Sequence, residues 1–178
     1  FKTMSKKAAV LAVNPVNGSG LFQYLEAFYE NGVGYEVFAA APSRDIKTNS
    51  GIPLTANGTV AELKERTGDF DALIFACGDA MPVFGQNADK QYNTDMIEVI
   101  RLFAGEKKIM AGHCAAALAF EIAGVDAGVR MAAHPLAAPA IKNGIATGEA
   151  GTHDGNFYTA RDENDIREIL PALLRELK

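Results

Sequence analysis

Gly112-His113-Cys114-Ala115-Ala116-Ala117 follows the run Lys108 to Ala111, and this junction restricts the chain more than any other stretch. A strand that feeds a cramped turn and then a helix needs small residues around the turn position. The helix it opens directs free N–H groups and its positive dipole end at that position. With cysteine there, both effects favour thiolate over thiol. The serine version of such a nucleophile elbow reads G-x-S-x-G; here Cys114 replaces the serine and Ala116 the last glycine, a change small enough to keep the turn. A cysteine at a strand–helix junction is also a common buried apolar residue. Gly112 and the alanine run are what support the reactive reading.

The remaining chain alternates β-rich runs with amphipathic helical ones. Ala8 to Val13 is a continuous apolar strand of the kind a sheet covered on both faces requires. Leu21, Leu25 and Phe28 recur at helical spacing before an Asn31-Gly32 stop, and Tyr35 to Ala40 is a second strand. Pro42 to Gly58 reads as a hairpin-like excursion, and Thr59-Val60-Ala61-Glu62 as a capping box opening a short helix. Asp71 to Ala76 is a strand ending at Cys77-Gly78-Asp79, Asp95 to Ala104 a helix, and the elbow helix runs to Ala123. Val129 to Ala133 is expected as a strand closing at His134-Pro135, and Phe157 to Ala160 as the last strand. Asp162 to Leu177 is expected as a helix bent at Pro171. This order predicts an α/β, flavodoxin-like three-layer sandwich with a mainly parallel sheet, whose ligands collect at the carboxyl ends of the strands. Cys114, the Cys77-Gly78-Asp79 turn, the Asn14 to Gly20 loop and His134 all follow strands.

Length and composition narrow the possibilities. With 178 residues and 48% hydrophobic content, one domain with a full core is expected, spanning residues 4–178; Phe1-Lys2-Thr3 precede Met4, read as the initiator. A net charge of -5 without a basic cluster argues against nucleic acid. No apolar run approaches the ~18 residues of a membrane span and no signal-peptide hydrophobic region stands at the start, so a cytoplasmic protein without a membrane partner is expected. The two cysteines, Cys77 and Cys114, have no metal-like spacing, so neither a metal nor another cofactor is expected.

A cysteine nucleophile needs a polar partner and an oxyanion hole. His134, at a strand end before a proline, is the better placed imidazole. His113 precedes the nucleophile and should point the opposite way, giving it a minor role, and His153 falls in a later loop. The N–H groups of Gly78 and Ala115 are the natural oxyanion donors. Asn17, Cys77 and Asp79 are accessory candidates.

These residues resemble the ThiJ/PfpI superfamily of flavodoxin-like proteins, relatives of class I glutamine amidotransferases. Gly112-His113-Cys114-Ala115-Ala116 matches its cysteine elbow. His134-Pro135-Leu136-Ala137 is similar to the His-Pro segment of the branch that includes the Parkinson-linked deglycase. Ala76-Cys77-Gly78-Asp79 stands where the family has Pro-Gly-Gly, and Asp154 to Arg161 resembles its last strand. The resemblance implies a homodimer, which Phe22, Tyr24 and Phe28 would support as surface aromatics beyond the needs of one buried helix face. Three departures stand out. The family glutamate after the first strand falls at or near Gly20, and no acid occurs between Met4 and Glu26. Cys77 replaces a glycine, and Ala115 stands where protease-like members place histidine.

The expected function is therefore cysteine-dependent hydrolysis or isomerisation of a small carbonyl or amide substrate, through an acyl-enzyme or a thiohemiacetal. With Asn17, Ser19, Gly20 and Gln23 near the missing acid, methylglyoxal turnover should be feeble. The alternatives are a redox or stress-response protein in which Cys114 is oxidised reversibly, against Cys77 in one form, and a ligand-binding module without turnover.

Overall fold

A strand apolar along its whole length must be covered on both faces, and every residue from Ala8 to Val13 and from Ala72 to Ala76 is buried. The computed structural model describes residues 6–178; Met4, the expected start of the domain, lies outside the described residues. In chain order the elements are β1 (Lys7–Val13), α1 (Gly18–Glu30), β2 (Gly34–Ala40), β3 (Asp45–Lys47), β4 (Pro53–Thr55), β5 (Gly58–Thr59), α2 (Val60–Lys64), β6 (Ala72–Ala76), α3 (Gln91–Gly105), β7 (Ile109–His113), α4 (Ala116–Ala123), β8 (Arg130–Met131), β9 (Ile145–Ala146), β10 (Gly151–Asp154), β11 (Phe157–Ala160) and α5 (Leu170–Leu177).

The main sheet has the order β10-β11-β7-β6-β1-β2-β5, parallel throughout except for β10, which pairs antiparallel with β11. Leu21, Tyr24 and Phe28 of α1 and Leu173 and Leu177 of α5 form the core on one face. Leu63 of α2, Met96, Ile100 and Phe103 of α3, and Phe120 of α4 form the core on the other. The result is an α/β three-layer sandwich. Strand order reverses between β1 and β6, and a crevice opens beyond the carboxyl ends of strands at such a switch point. Two side-chain caps show why helices begin where they do. Asn17 caps α1 by accepting from Gly20 N–H, and Thr59 accepts from Glu62 N–H at 3.4 Å to open α2.

Four expectations are corrected. Only Arg130–Met131 of the 129–133 segment is strand, and it pairs with β9 outside the main sheet. The edge beside β11 is taken instead by β10, because Gly155 at φ 58° permits a tight hairpin between the two. His153 is consequently on β10, stacked on Tyr158 at 4.0 Å, and not in a loop. The C-terminal helix is not a single bent one: a 3₁₀ segment, Glu163–Glu168, precedes α5, and Pro171 sits in the first turn of α5, where a missing N–H costs nothing. Tyr24 and Phe28 are wholly buried, so only Phe22 at 43% and Tyr29 at 77% exposure are surface aromatics of α1. The aromatic support for a dimer falls with them.

On α4, Glu121 clasps the chain just before β9. Its Oε1 accepts from the N–H groups of Lys142, Asn143 and Gly144 at 2.9, 2.9 and 3.0 Å. Asp126, 0% exposed, lies against this clasp, and burial followed by the Glu121 carboxylate pushes its carboxyl up to about 6. A carboxyl whose folded value is raised contributes stability that is full below its unfolded value and is lost as pH rises through the folded value. Asp126→Asn removes that loss. Its melting temperature should therefore gain on that of the wild type as pH rises from about 4 to about 7, as differential scanning calorimetry would read; a difference independent of pH contradicts the assignment.

Candidate functional site

Cys114 connects β7 to α4 with φ 61°, one of two non-glycine residues at positive φ among those described. Such a conformation costs on the order of 1–3 kcal/mol unless its surroundings hold it. Two chains do. Cys114 N–H donates to the Ala160 carbonyl of β11 at 3.0 Å, and His134 N–H donates to the Cys114 carbonyl at 3.1 Å. No side chain caps α4 at Ala115, so the first N–H groups of the helix and its positive end remain available to the sulfur.

The half-buried Cys114 opens on a cavity of about 380 Å³ at the carboxyl ends of β1, β6, β7 and β11. Cys77, Gly78, His113, Cys114, His134 and Glu163 contribute to its walls, and Met81, Leu118, Leu136 and Ala137 make the apolar part. All eight candidate residues from the sequence meet here: Asn17 is half-buried at the α1 end and Asp79 is exposed at the rim.

The two sulfurs divide their roles by burial. The neighbouring Cys77 thiol is the main cause that holds the Cys114 thiol below the ordinary range, with the Ala115 N–H helping. The same contact and burial push Cys77 up. Ala115 N–H donates to the Cys77 sulfur at 3.4 Å, so it is occupied, whereas Gly78 N–H has no protein acceptor among the described residues. A side chain at Gly78 would overlap the Pro15 carbonyl and come within 2.5 Å of Val16 Cα, because the β1–α1 loop crosses it, with Asn17 N–H donating to the Cys77 carbonyl at 2.9 Å.

The histidines differ from each other as sharply. His134 Nδ1 accepts from Leu136 N–H at 3.1 Å, which leaves the proton of the neutral ring on Nε2. His134 is thus a donor toward the cavity. His113 does leave β7 on the face opposite Cys114, where it meets Tyr24 at 3.2 Å, yet its ring reaches the cavity. A Cβ at Gly20 would overlap His113 Nε2 and lie 2.6 Å from Cε1. The imidazole therefore fills the volume where the resemblance expects the glutamate side chain, and Gly20→Glu has no room while His113 stands. Burial pushes the ring down to about 4, so it is neutral near pH 7.

Glu163 escaped the sequence analysis. It follows the Asp162 cap at the end of β11, so the rule that strand ends bear the site would have found it once the 3₁₀ segment was recognised. Its charge, like that of Asp162, opposes the thiolate. Among the described residues no group of three or more His, Cys, Asp and Glu side chains is placed to hold a metal ion, and no helix is long and apolar enough to cross a membrane.

Iodoacetamide should label Cys114 and spare Cys77, with a rate–pH midpoint below that of an ordinary thiol. Cys77→Ala should raise that midpoint, since it removes the largest influence lowering it. Peptide mass spectrometry of timed samples reads both, and labelling centred on Cys77 contradicts them.

The DJ-1/PfpI family profile matches residues 6–176. Protein ppBat of Bacteroides thetaiotaomicron is 56% identical over 175 residues, covering 98% of this chain and all of that one. A crystal structure described as "the putative protease I from Bacteroides thetaiotaomicron" superposes with a TM-score of 0.96 at 56% identity and the same coverage. A DJ-1 superfamily protein of Salmonella typhimurium (TM-score 0.83, 22% identity, 97% of this chain and 90% of that one) shares the fold. So does Drosophila melanogaster DJ-1beta (TM-score 0.82, 18% identity, 98% and 91%). With the profile spanning nearly every described residue and one relative identical at more than half of its positions, this chain belongs to the DJ-1/PfpI family.

Proposed function

We propose that the protein uses Cys114 as a nucleophile on the carbonyl carbon of a small ester, amide or aldehyde. The observation that carries this reading is the Cys114 turn itself: a strained φ of 61°, a thiol held below its ordinary range, and an adjoining cavity of about 380 Å³. A structural cysteine needs none of these.

The sulfur adds to the carbonyl carbon and the carbonyl electrons move to oxygen. Gly78 N–H takes the oxyanion, joined by Ala115 N–H once it turns from the Cys77 sulfur. As the oxyanion collapses, the leaving group departs as an anion that accepts a hydrogen bond from His134 Nε2–H and takes its proton from solvent, leaving an acyl group on Cys114. Glu163 then takes a proton from water, which attacks the acyl carbon and frees the thiolate. With an aldehyde the sequence stops at a thiohemiacetal. The protease I name of the Bacteroides relative suits this chemistry in kind. A cavity of this size and alanine at position 115 favour small substrates over polypeptide.

A second reading is supported by the thiol of Cys77 at Cys114. Peroxide oxidises the Cys114 thiolate to a sulfenic acid and leaves as hydroxide, and the Cys77 thiol then displaces the sulfenic hydroxyl as water to form a disulfide.

p-Nitrophenyl acetate distinguishes the steps. The wild type should release a burst of p-nitrophenol and carry an acetyl group on Cys114; Cys114→Ala should show neither. Glu163→Gln should keep the burst and lose about 10²-fold or more of the steady rate. A wild-type protein without a burst or an acetylated Cys114 defeats the proposal.

A further inference from the structure

The mechanism above leaves two buried polar groups unused. Tyr24 is wholly buried on α1, and the one partner of its hydroxyl is His113 Nδ1 at 3.2 Å. Water cannot reach a hydroxyl proton there, so it must be donated to the only acceptor present, and that is Nδ1. The ring's own proton is then on Nε2. His113 is 1% exposed and Nε2 has no hydrogen-bond partner among the described residues. It lies against Gly20, which brings no side chain to cover it, and His113 is part of the wall of the Cys114 cavity. Buried donors without acceptors are rare in native proteins, and one beside a cavity is the group that a molecule bound there can satisfy.

We propose that His113 Nε2–H is a ligand-binding donor that takes a carbonyl or amide oxygen of a neutral molecule held at Cys114, and that Tyr24 is the positioning residue that keeps the proton on Nε2. The inference rests on the reading of Cys114 as the point of attack and adds a determinant of specificity to it. An ammonium group would meet a donor instead of an acceptor. A carboxylate would meet Glu163 in the same cavity and the charge of Asp162, which already acts on both His113 and Cys114. A site that hydrogen-bonds a ligand oxygen discriminates against the analogue lacking it, because the buried donor is then left unpaired.

Two alkylating probes of similar size read this directly: iodoacetamide, which offers an amide oxygen, and 1-iodopropane, which offers none. The quantity measured is the ratio of their rate constants at Cys114, each normalised to reaction with free cysteine. His113→Leu should lower this ratio about 3- to 10-fold, the worth of one hydrogen bond, and His113→Gln, whose amide N–H reaches the same place, should restore it to within about twofold. A ratio unchanged in His113→Leu, or still lowered in His113→Gln, overturns the proposal. The wild-type protein supplies a second measurement that needs no folded variant, the ¹⁵N spectrum of its histidines. A proton on His113 Nε2, moving to Nδ1 in part in Tyr24→Phe, supports the assignment, and a proton on Nδ1 in the wild type overturns it. If Cys114 reacts with neither probe, the nucleophile reading fails, and the nitrogen spectrum still decides the state of His113.

Discussion

Everything at the candidate site depends on one backbone conformation that cysteine does not choose by itself. A φ of 61° at Cys114 is held by β11 through the Cys114 N–H and by the 131–134 segment through the Cys114 carbonyl. The turn also needs room, since a side chain at Gly112 would come within 2.5 Å of Ala116 Cβ and 2.8 Å of the Phe75 carbonyl. Strand β7, strand β6 and helix α4 can approach this closely only because glycine and alanine stand at the crossing. The same hydrogen bond that fixes the turn brings His134 to the cavity, so strain and site geometry come from one set of contacts.

The second constraint is an exchange of volume between α1 and β7. Helix α1 presents no side chain at Gly20, and the space is taken by His113 from the strand below. A carboxylate in that space would be a charged group requiring partners. The imidazole is neutral there, since burial disfavours its charged form. Charge is displaced to Glu163 and Asp162 beyond β11, from where it opposes the Cys114 thiolate, and the neighbouring Cys77 thiol offsets that opposition. The acid and the glycine that the resemblance leads one to expect are thus replaced together, and the two replacements compensate in the electrostatics of one thiol.

The sandwich and the site's main members were legible because local chemistry dictated them. Continuous apolar runs such as Ala72 to Ala76 suit doubly covered strands, and the small residues of Gly112 to Ala117 suit a tight strand-to-helix turn. What escaped were outcomes of tertiary competition. The Val129 to Ala133 run has strand composition, yet β10 holds the sheet edge through its hairpin with β11. Tyr24 and Phe28 look surplus on a helical wheel, but α1 packs against β2, α5 and the Glu163–Glu168 segment, so a wide face is buried. The placement of His113 was anticipated as to face and missed as to reach. Alternation along β7 predicts the side of the sheet, but not that an imidazole extends past the strand end into a gap left by a glycine of another element. Glu163 was missed for a related reason: a helix starting at Asp162 would have carried the same residue into solvent.

The cavity's polar groups also constrain what can be done there. Toward a ligand it offers donors at Gly78 N–H and His134 Nε2, an acceptor at Glu163, and apolar surface from Met81, Leu118, Leu136 and Ala137. An amide with a short apolar substituent satisfies all of these at once, its oxygen accepting and its N–H donating, whereas an anion would have to overcome two carboxylates. Leu136, 88% exposed on the segment that carries His134, stands where such a substituent would enter. That segment leads toward the chain that Glu121 clasps from α4, so the helix that points its positive end at the sulfur also restrains the wall opposite. Thiol activation and the shape of the cavity are in this way tied to a single helix.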